Sequence, residues 1–232
     1  MKRINIAIDG YSGCGKSTLA KNLASELGYV FIDTGAMFRG ITHYCLTKGV
    51  DISNQTAISK IIEDGPNLIF ESKSNNLLLN GDDIEKEIRN NRSIASSVSQ
   101  VASVPSVREY LKQLQQKYIV DKGVVMEGRD IGTVIMPDAE LKIFITASIE
   151  ERVLRRLKQL KDQGEEVSEE YVRTNLIERD RADASRDAAP LRKAKDAIAI
   201  DTTTFSKKEQ LEVVKALLRP ITDAEEFLPF IQ

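Results

Sequence analysis

Apolar residues near the start of the chain change from a strand spacing to a helical spacing. Isoleucine or alanine fills every position from residue 4 to residue 8 except one, and the isoleucines alternate, which is typical of a strand. Leu19, Leu23 and Leu27 then recur at helical spacing, and Gly28 marks the end of that helix. The pattern therefore predicts that the chain opens with a strand, a loop and a helix.

Short apolar runs further along the chain predict four more strands, at residues 29–33, 124–126, 141–145 and 197–200. Amphipathic segments separate these runs. Two Ser-x-x-Glu sequences, Ser148 to Glu151 and Ser206 to Glu209, predict capping boxes at helix starts. Strands that alternate with helices predict an α/β fold, in which a five-stranded parallel sheet is flanked by helices on both faces.

The loop between the first strand and the first helix carries the clearest chemical signal. It matches the phosphate-binding pattern G-x-x-x-x-G-K-[ST]. In such a loop backbone N–H groups surround a phosphate chain, Lys16 reaches the β- and γ-phosphates, and the Ser17 hydroxyl ligates Mg²⁺. We predict that the chain binds a nucleoside triphosphate and that Lys16 is exposed in its loop. The expected triphosphate contacts are Gly10, Tyr11, Ser12, Gly13, Cys14, Gly15, Lys16, Ser17 and Thr18.

Two segments interrupt the alternation of strands and helices. Residues 66–90 combine short apolar runs with polar turns such as Asn80-Gly81, which predicts a small antiparallel hairpin insertion. Residues 155–187 are dense in charge, which ordinarily indicates a solvated helix face. Near a phosphate loop, however, arginines on a mobile flap can grip a triphosphate.

These segments predict the organisation of a single domain. We expect its core at residues 1–65, 96–154 and 188–219, an insertion at about 66–95 and a helical lid at about 155–187. Pro220 and Pro229 lie in the last stretch, so residues 220–232 are expected to form a loosely attached tail.

Composition narrows the class of protein. The 232 residues are 41% hydrophobic, enough for a full core, and basic and acidic side chains nearly cancel to a formal net charge of −2. This balance argues against bulk attraction to nucleic acid. Cys14 and Cys45 suggest no disulfide framework, and no run approaches the ~18 apolar residues of a membrane span. We expect a cytoplasmic monomer without nucleic-acid or membrane partners.

Two polar clusters follow predicted strands, at the sheet edge where open α/β folds bind ligands. Thr34 and Arg39 come after the second strand, where the alternative is a helix cap and a surface arginine. Arg129 and Asp130 follow the strand at 124–126, where the alternative is a surface ion pair. Their place at the ligand edge favours a functional role.

A third cluster consists of Arg179, Asp183 and Arg186, at spacings of four and three that would share one face of a helix. On their own these residues would be an ordinary salt-bridged helix face. They fall inside the charge-dense segment that we predict to be a lid, which makes the two arginines candidates for gripping a triphosphate.

Taken in order, the motifs resemble those of the bacterial cytidylate kinases. The likeness runs from residue 4 to about 218, and an ordered set is far more specific than a phosphate loop alone. The matching motifs are Asp9-Gly10-x-Ser12-Gly13-x-Gly15-Lys16, Asp33-x-Gly35-Ala36-x-x-Arg39, Ser99-Gln100-Val101 through Pro105-x-Val107-Arg108, Gly128-Arg129-Asp130-x-Gly132-Thr133, Pro137-Asp138-Ala139, Glu178-Arg179-Asp180 with Asp183 and Arg186, Ala189-Pro190-Leu191 and Asp201-Thr202-Thr203.

The resemblance implies a five-stranded parallel sheet with a monophosphate-binding insertion and a lid, and an ATP-dependent phosphorylation of CMP and dCMP. It implies that the catalytic residues are Lys16, Arg129 and Arg179. It also implies three groups of CMP contacts: Arg39, Arg129 and Arg179 for the phosphate, Ser99, Arg108 and Asp130 for the cytosine edge, and Thr34, Asp183 and Arg186 for the sugar and nearby groups.

The expected reaction needs no catalytic base, because a monophosphate oxygen is already a nucleophile. It needs in-line alignment and neutralisation of charge, which arginines, Lys16 and Mg²⁺ would supply. Two departures from the family pattern are mild: Tyr11 replaces the usual proline and Phe38 a common tyrosine.

Two other functions remain open at this stage. One is a kinase of another nucleoside monophosphate or of a small metabolite, which the pocket around Ser99, Arg108 and Asp130 would decide. The other is a nucleotide-dependent switch that hydrolyses ATP slowly. A switch needs no second phosphate site, so arginines in two separate clusters argue against it.

Overall fold

The computed structural model describes residues 2–71 and 74–222. Its strands are β1 (Asn5–Gly10), β2 (Val30–Asp33), β3 (Leu68–Phe70), β4 (Leu77–Leu79), β5 (Asp82–Asp83), β6 (Val124–Gly128), β7 (Leu141–Thr146) and β8 (Ile198–Asp201). Its α-helices are α1 (Lys16–Leu27), α2 (Thr34–Thr47), α3 (Gln55–Glu63), α4 (Glu85–Asn90), α5 (Arg92–Val101), α6 (Pro105–Tyr118), α7 (Ile149–Asp162), α8 (Glu169–Ser185) and α9 (Lys207–Thr222). A short π-helical turn spans Ile131–Ile135.

Five parallel strands form the main sheet, in the order β2-β6-β1-β7-β8. The first strand is central, and Ile6 lies opposite Val125 on one side and Leu141 on the other. All five carboxyl ends lie at one edge because the strands are parallel. The loops after β1, β2 and β6 therefore meet there, which is where the sequence predicts the site.

Alternate residues of each strand pack on opposite faces of the sheet. Ile6 and Ile8 face α1 and α9, where Leu23 and Val214 are fully buried. Ala7 faces the larger layer that contains α2, α3, α5 and α6. Burial of one such aliphatic side chain contributes about 1.5–3 kcal/mol. The predicted α/β fold with two covered faces is confirmed.

A three-stranded antiparallel sheet, in the order β3-β4-β5, packs on α2. The contact is close because a Cβ on Gly40 would lie 2.9 Å from Leu77 Cδ2 and 3.0 Å from Leu68 Cδ2. Asn80 and Gly81 both have positive φ, as the predicted two-residue turn requires. The other predicted turn, at residues 73–76, includes a position outside the described residues.

The insertion is less regular than the hairpin predicted for residues 66–90, because α4 begins at Glu85. Two features favour a helix there. Glu85 and Glu87 lie in the first turn, where negative charge is stabilised, and the Asp83 carboxylate accepts a hydrogen bond from the Glu85 N–H.

One of the two predicted capping boxes is complete. Ser206 Oγ accepts from the Glu209 N–H and the Glu209 carboxylate accepts from the Ser206 N–H. Ser148 caps α7 as expected, but its own N–H donates to Thr203 and the Glu151 carboxylate pairs with Arg155. That box is therefore only half formed, because an arginine competes for the glutamate.

The described fold continues past residue 220, where the sequence predicts that a tail begins. The last helix, α9, continues through Pro220 to Thr222, and Leu218 and Ile221 pack on the core beneath β1. Apolar packing outweighs the missing N–H of the proline at this helix end. Residues 223–232 lie outside the described part of the chain. None of the described helices is long and apolar enough to cross a bilayer.

Candidate active site

Two glycines shape the loop between β1 and α1. A Cβ on Gly10 would lie 2.1 Å from the carbonyl oxygen of Ile145, so a side chain has no room there. Gly15 has a φ of 91°, in the left-handed region that glycine adopts without strain. Within the described residues no side chain caps the first turn of α1. Its N–H groups are thus available to a phosphate chain.

Lys16 is the first residue of α1 and is only 5% exposed. Its Nζ donates to the carbonyl of Tyr11 at 2.6 Å. Burial lowers the pKa of Lys16, and the nearby charge of Arg129 lowers it further. The expectation that Lys16 is exposed is therefore wrong, because the loop curls its own backbone around the ammonium group.

Asp9, at the end of β1, holds the segment that follows β6. Its two carboxylate oxygens accept from the N–H groups of Ile131 and Gly132, each at 2.8 Å. Burial raises the pKa of Asp9 to about 6, although these hydrogen bonds oppose the shift. The sequence offers no signal for this contact beyond the place of Asp9 before the phosphate loop.

Asp130 and Arg108 form a buried pair with 2.5 Å between carboxylate Oδ2 and Nη2. Arg186 Nη2 lies 3.4 Å from the other carboxylate oxygen. The Arg108 guanidinium also lies 5.3 Å above the Phe38 ring, a cation–π contact that needs no phenol hydroxyl. The structure thus brings together two residues predicted for cytosine and one predicted for the sugar.

Arg129 Nε donates to the Asp183 carboxylate at 2.9 Å, joining the loop after β6 to α8. Burial disfavours the charge of Arg129, but Asp183 outweighs it and the pKa of Arg129 is raised. Arg186 lies one residue beyond α8 in extended backbone, so it does not share a helix face with Arg179 and Asp183 as predicted. It nevertheless lies 3.6 Å from the Asp183 carboxylate.

Arg179 contrasts with these arginines. Among the described residues no carboxylate oxygen lies within ion-pair distance of it, and its buried Nε has no hydrogen-bond partner. Burial, followed by the positive charge of Arg129, lowers the pKa of Arg179 to about 10. The charge of Asp183 opposes this shift, but its carboxylate is not within ion-pair distance of Arg179 and does not outweigh burial.

Asp33 binds two arginines at the end of β2. Its carboxylate lies 3.1 Å from Arg39 Nη2 and 2.7 Å from Arg89 Nη1. Burial disfavours the charged carboxylate, but the two guanidinium groups outweigh it and lower the pKa of Asp33 to about 2. The sequence analysis missed Arg89, which reaches the site from α4 in the insertion and belongs to no recognisable motif.

Thr34 and Ser99 occupy different surroundings. The Thr34 hydroxyl donates to the carbonyl of Glu127 at 2.7 Å, which ties the start of α2 to β6. Ser99 lies on α5, which packs against α2 and α8. The one hydrogen of this buried hydroxyl is donated to Glu127, so a ligand would meet Thr34 only as an acceptor.

Ser17 and Glu127 lie where the loop faces the end of β6. The exposed Ser17 hydroxyl hydrogen bonds with the buried Glu127 carboxylate. Burial raises the pKa of Glu127 and the charge of Asp33 raises it further. The described residues contain no cluster of three His, Cys, Asp or Glu side chains that could hold a metal by themselves.

The insertion and the helical pair α7–α8 touch across the cleft. Arg92 Nε donates to the Glu165 carboxylate at 2.7 Å, and Gln163 Nε2 donates to Asn90 Oδ1 at 3.2 Å. We call these two contacts the tip bridge. Both involve exposed side chains.

The sheet order, the phosphate loop and the arginine-lined cleft define a phosphate-loop kinase. In the solved structures, a gluconokinase from Sinorhizobium meliloti matches with a TM-score of 0.50 and 13% identity, covering 98% of this chain and 99% of its own. An uncharacterized protein from Eubacterium ventriosum matches with a TM-score of 0.51 and 12% identity, covering 94% and 98%. At such identities the likeness concerns the fold alone.

The family follows from closer relatives. The family model described as cytidylate kinase matches residues 6–222. A cytidylate kinase from Phocaeicola vulgatus is 46% identical over 90% of this chain and 94% of its own, and one from Flavobacterium johnsoniae is 45% identical over 95% and 98%. The chain belongs to the cytidylate kinase family, as its motifs predicted.

Proposed function

We propose that the chain transfers the γ-phosphoryl group of ATP to CMP and dCMP, giving CDP and dCDP. Membership of the cytidylate kinase family supports this reaction. The observation that carries the substrate assignment is the buried Asp130 carboxylate, held between Arg108 and Arg186 at the ligand edge of the sheet. It presents an acceptor beside two donors, and the three side chains are only 7–10% exposed.

That arrangement suits cytosine better than uracil. Cytosine offers an amino donor to Asp130, as it does to acidic side chains in nucleic-acid recognition, and acceptors to Arg108. Uracil would set a carbonyl against the carboxylate and a ring N–H against the guanidinium. Each unpaired group in a closed site costs on the order of 1–3 kcal/mol. Ser99 is proposed to complete the cytosine contacts, and Thr34, Asp183 and Arg186 those to the sugar and nearby groups.

The proposed transfer relies on alignment and charge. The monophosphate oxygen attacks directly, while Lys16, Arg129 and Arg179 neutralise charge on the transferred group. Arg39 joins Arg129 and Arg179 on the CMP phosphate. The residues proposed to contact ATP are those of the whole loop: Gly10, Tyr11, Ser12, Gly13, Cys14, Gly15, Lys16, Ser17 and Thr18.

The residues at the end of β6 fit a magnesium ion. Mg²⁺ in such sites takes one or two protein oxygens, the substrate phosphates and water. The exposed Ser17 hydroxyl beside the buried Glu127 carboxylate offers that kind of donor set. We propose that Ser17 holds the ion and that Glu127 orients it through the hydroxyl. An Mg²⁺ ion held there would neutralise negative charge on the phosphates of ATP.

Residues 155–187 are proposed to act as a lid that closes over ATP and brings Arg179 to the phosphates. More than half of α7 and all of α8 fall in this range. Hydrogen exchange should show new protection there when both nucleotides are bound. Unchanged exchange across 155–187 in the ternary complex would contradict a moving lid.

A panel of nucleoside monophosphates with Mg-ATP tests the proposed function. We expect CMP and dCMP to exceed UMP by at least ~100-fold in kcat/KM, from two mismatched groups in a closed site. Equal use of CMP and UMP would refute the roles of Arg108 and Asp130. ATP loss without any monophosphate dependence would instead indicate a slow nucleotide switch.

We also propose a cytoplasmic monomer. Cys14 and Cys45 are free thiols buried in the fold, which suits a reducing compartment. Light scattering after size exclusion would test the monomer, and a dimer mass would contradict it.

A further inference from the structure

One buried ion pair joins the phosphate loop to the lid helices. Asp180 Oδ1 accepts from the Ser12 N–H at 3.1 Å, and its other oxygen pairs with Arg152. Arg152 Nη1 also donates to the Ser12 carbonyl at 3.2 Å. The backbone N–H of Ser12 is therefore bound by a side chain from α8, and its backbone carbonyl by a side chain from α7.

The pair is largely shielded from solvent, with side-chain exposures of 10% for Arg152 and 12% for Asp180. The Arg152 guanidinium lies 5.4 Å from the centre of the Tyr11 ring. Tyr11 in turn meets Phe144 edge to face, with 5.8 Å between ring centres. Tyr11, which departs from the family pattern, thus supplies the surface on which the Arg152 guanidinium rests.

The location of the pair is informative because buried ion pairs are poor stabilisers. The cost of removing both charges from water largely cancels their attraction. The helices α7 and α8 already share an apolar core of Val153, Leu160, Val172 and Leu176. Arg155 gives α7 a second attachment, through the carbonyls of Cys14 and Thr202. Stability alone therefore does not account for Asp180.

Asp180 is adjacent to Arg179, and successive helical residues point about 100° apart. Because the Asp180 carboxylate is fixed to the loop on one side of α8, it sets the direction in which the neighbouring Arg179 side chain enters the cleft. Arg179 has no carboxylate partner among the described residues to orient it, so the rotation and height of α8 determine its position.

We propose that Asp180 and Arg152 are positioning residues that couple the phosphate loop to α8. The coupling holds Arg179 at a fixed position relative to the γ-phosphate of ATP bound in the loop. The inference rests on the proposed kinase function. Ser12 is its contact point, and neither Asp180 nor Arg152 needs to touch a nucleotide.

A double-mutant cycle between Asp180→Ala and Arg179→Ala tests the coupling. Displacement of a reacting group by about 1 Å can cost ~100-fold, so Asp180→Ala should lower kcat by about that factor. If Asp180 acts through Arg179, the double variant should be no slower than Arg179→Ala alone. Effects that multiply would overturn the proposal.

Two further variants separate positioning from folding. Asp180→Asn keeps an acceptor for the Ser12 N–H but loses the charge that pairs with Arg152, and should show an intermediate kcat with normal thermal melting. Glu178→Gln, an exposed change on the same helix, should match the wild type in rate and melting. A normal kcat for both Asp180 variants would refute the coupling.

Hydrogen exchange of the free protein supplies a readout without turnover. The Ser12 amide should exchange faster in Asp180→Ala and remain protected in Asp180→Asn. The wild-type rate with CMP is measured first: no CMP-dependent turnover would overturn the proposed function and this inference together. Additive effects in an active enzyme, or unchanged Ser12 exchange, would overturn this inference alone.

Discussion

The cations of the cleft fall into two groups that differ in their partners. Four arginines each lie within ion-pair distance of a carboxylate, and these are Arg39, Arg108, Arg129 and Arg186. By contrast, Lys16 hydrogen bonds to a backbone carbonyl and Arg179 has a buried, unpartnered Nε. The first group is oriented before any nucleotide arrives, whereas the second has no carboxylate within ion-pair distance among the described residues.

This difference bears on two proposed tasks, the recognition of CMP and the transfer of the phosphoryl group. Groups oriented in advance lose little freedom on binding, which favours selectivity. Lys16 and Arg179 have pKa values lowered first by burial, so a phosphate chain would relieve an unfavourable environment for both. We therefore expect nucleotide binding to change the electrostatic environment of Lys16 and Arg179 more than that of the four paired arginines.

The largest expected effect comes from removing an unpaired cation. Lys16→Ala should lower kcat by about a thousandfold, the upper range for loss of one group that stabilises transition-state charge. Circular dichroism and thermal melting check that the variant is folded, with the exposed Lys117→Ala as control. Near-normal turnover in a folded Lys16→Ala variant would remove the loop from the mechanism.

The comparison predicts opposite signatures for Arg179 and Arg108. Arg179→Ala should lower kcat about 100-fold and leave the melting temperature unchanged or higher, because a buried unpaired charge is lost. Arg108→Ala should raise the KM for CMP and destabilise the protein by about 3 kcal/mol or more, because Asp130 loses its main buried partner. Steady-state kinetics and chemical unfolding of both variants measure this. Equal losses of stability in Arg179→Ala and Arg108→Ala would contradict the distinction between unpaired and paired cations.

A smaller effect is expected when one carboxylate of the paired group is neutralised. Asp130→Asn should narrow the preference for CMP over UMP by about tenfold, since the amide can turn a donor toward the uracil carbonyl and one recovered contact is worth about 1–3 kcal/mol. The ratio of kcat/KM values measures it, and Asp187→Asn at an exposed position is the control. An unchanged ratio would mean that Asp130 does not read the base.

Asp9 sharpens the comparison, because its carboxylate is held by backbone N–H groups and not by an arginine. Burial, with a further contribution from Asp130, raises its pKa to about 6 from 3.8, while Lys16 opposes the shift. A raised pKa means that the charged form is less favourable in the folded protein. The contribution of Asp9 to stability is therefore fully present below about pH 4 and is lost as the pH rises through 6.

The expected loss between pH 5 and pH 7 is about 1 kcal/mol. It is measured as the difference in unfolding free energy between the wild type and Asp9→Asn, which cannot ionise. Subtraction removes titrations that both proteins share. A difference that stays constant across this range would contradict the raised pKa of Asp9.

Periodicity predicted the fold well, because strand and helix spacings report which face of an element is buried. It also placed Arg129 and Asp130 correctly, since both follow directly from the end of a strand. It did not predict the pairing of Arg89 with Asp33, or the burial of Lys16. Long charged side chains pair with residues that are distant in sequence, and a local sequence pattern carries no information about such pairs.

The helix boundary at Arg186 shows the same limit. A spacing of three and four predicts one helix face, but the chain leaves α8 at Ser185, and extended backbone then carries Arg186 toward Asp130. The residue reaches its partner by a route that helical spacing does not describe.

The Arg92–Glu165 contact of the tip bridge has a consequence for adaptation to temperature. Both side chains lie at edges of the cleft that the proposed lid closure would move relative to each other, and neither is proposed to touch a nucleotide. Exposed pairs of this kind contribute about 0–1 kcal/mol and weaken with salt. Substitutions at positions 92 and 165 would therefore shift the balance between open and closed clefts in small steps. Such substitutions would adjust the turnover rate to a new growth temperature without changing any residue that is proposed to select the substrate.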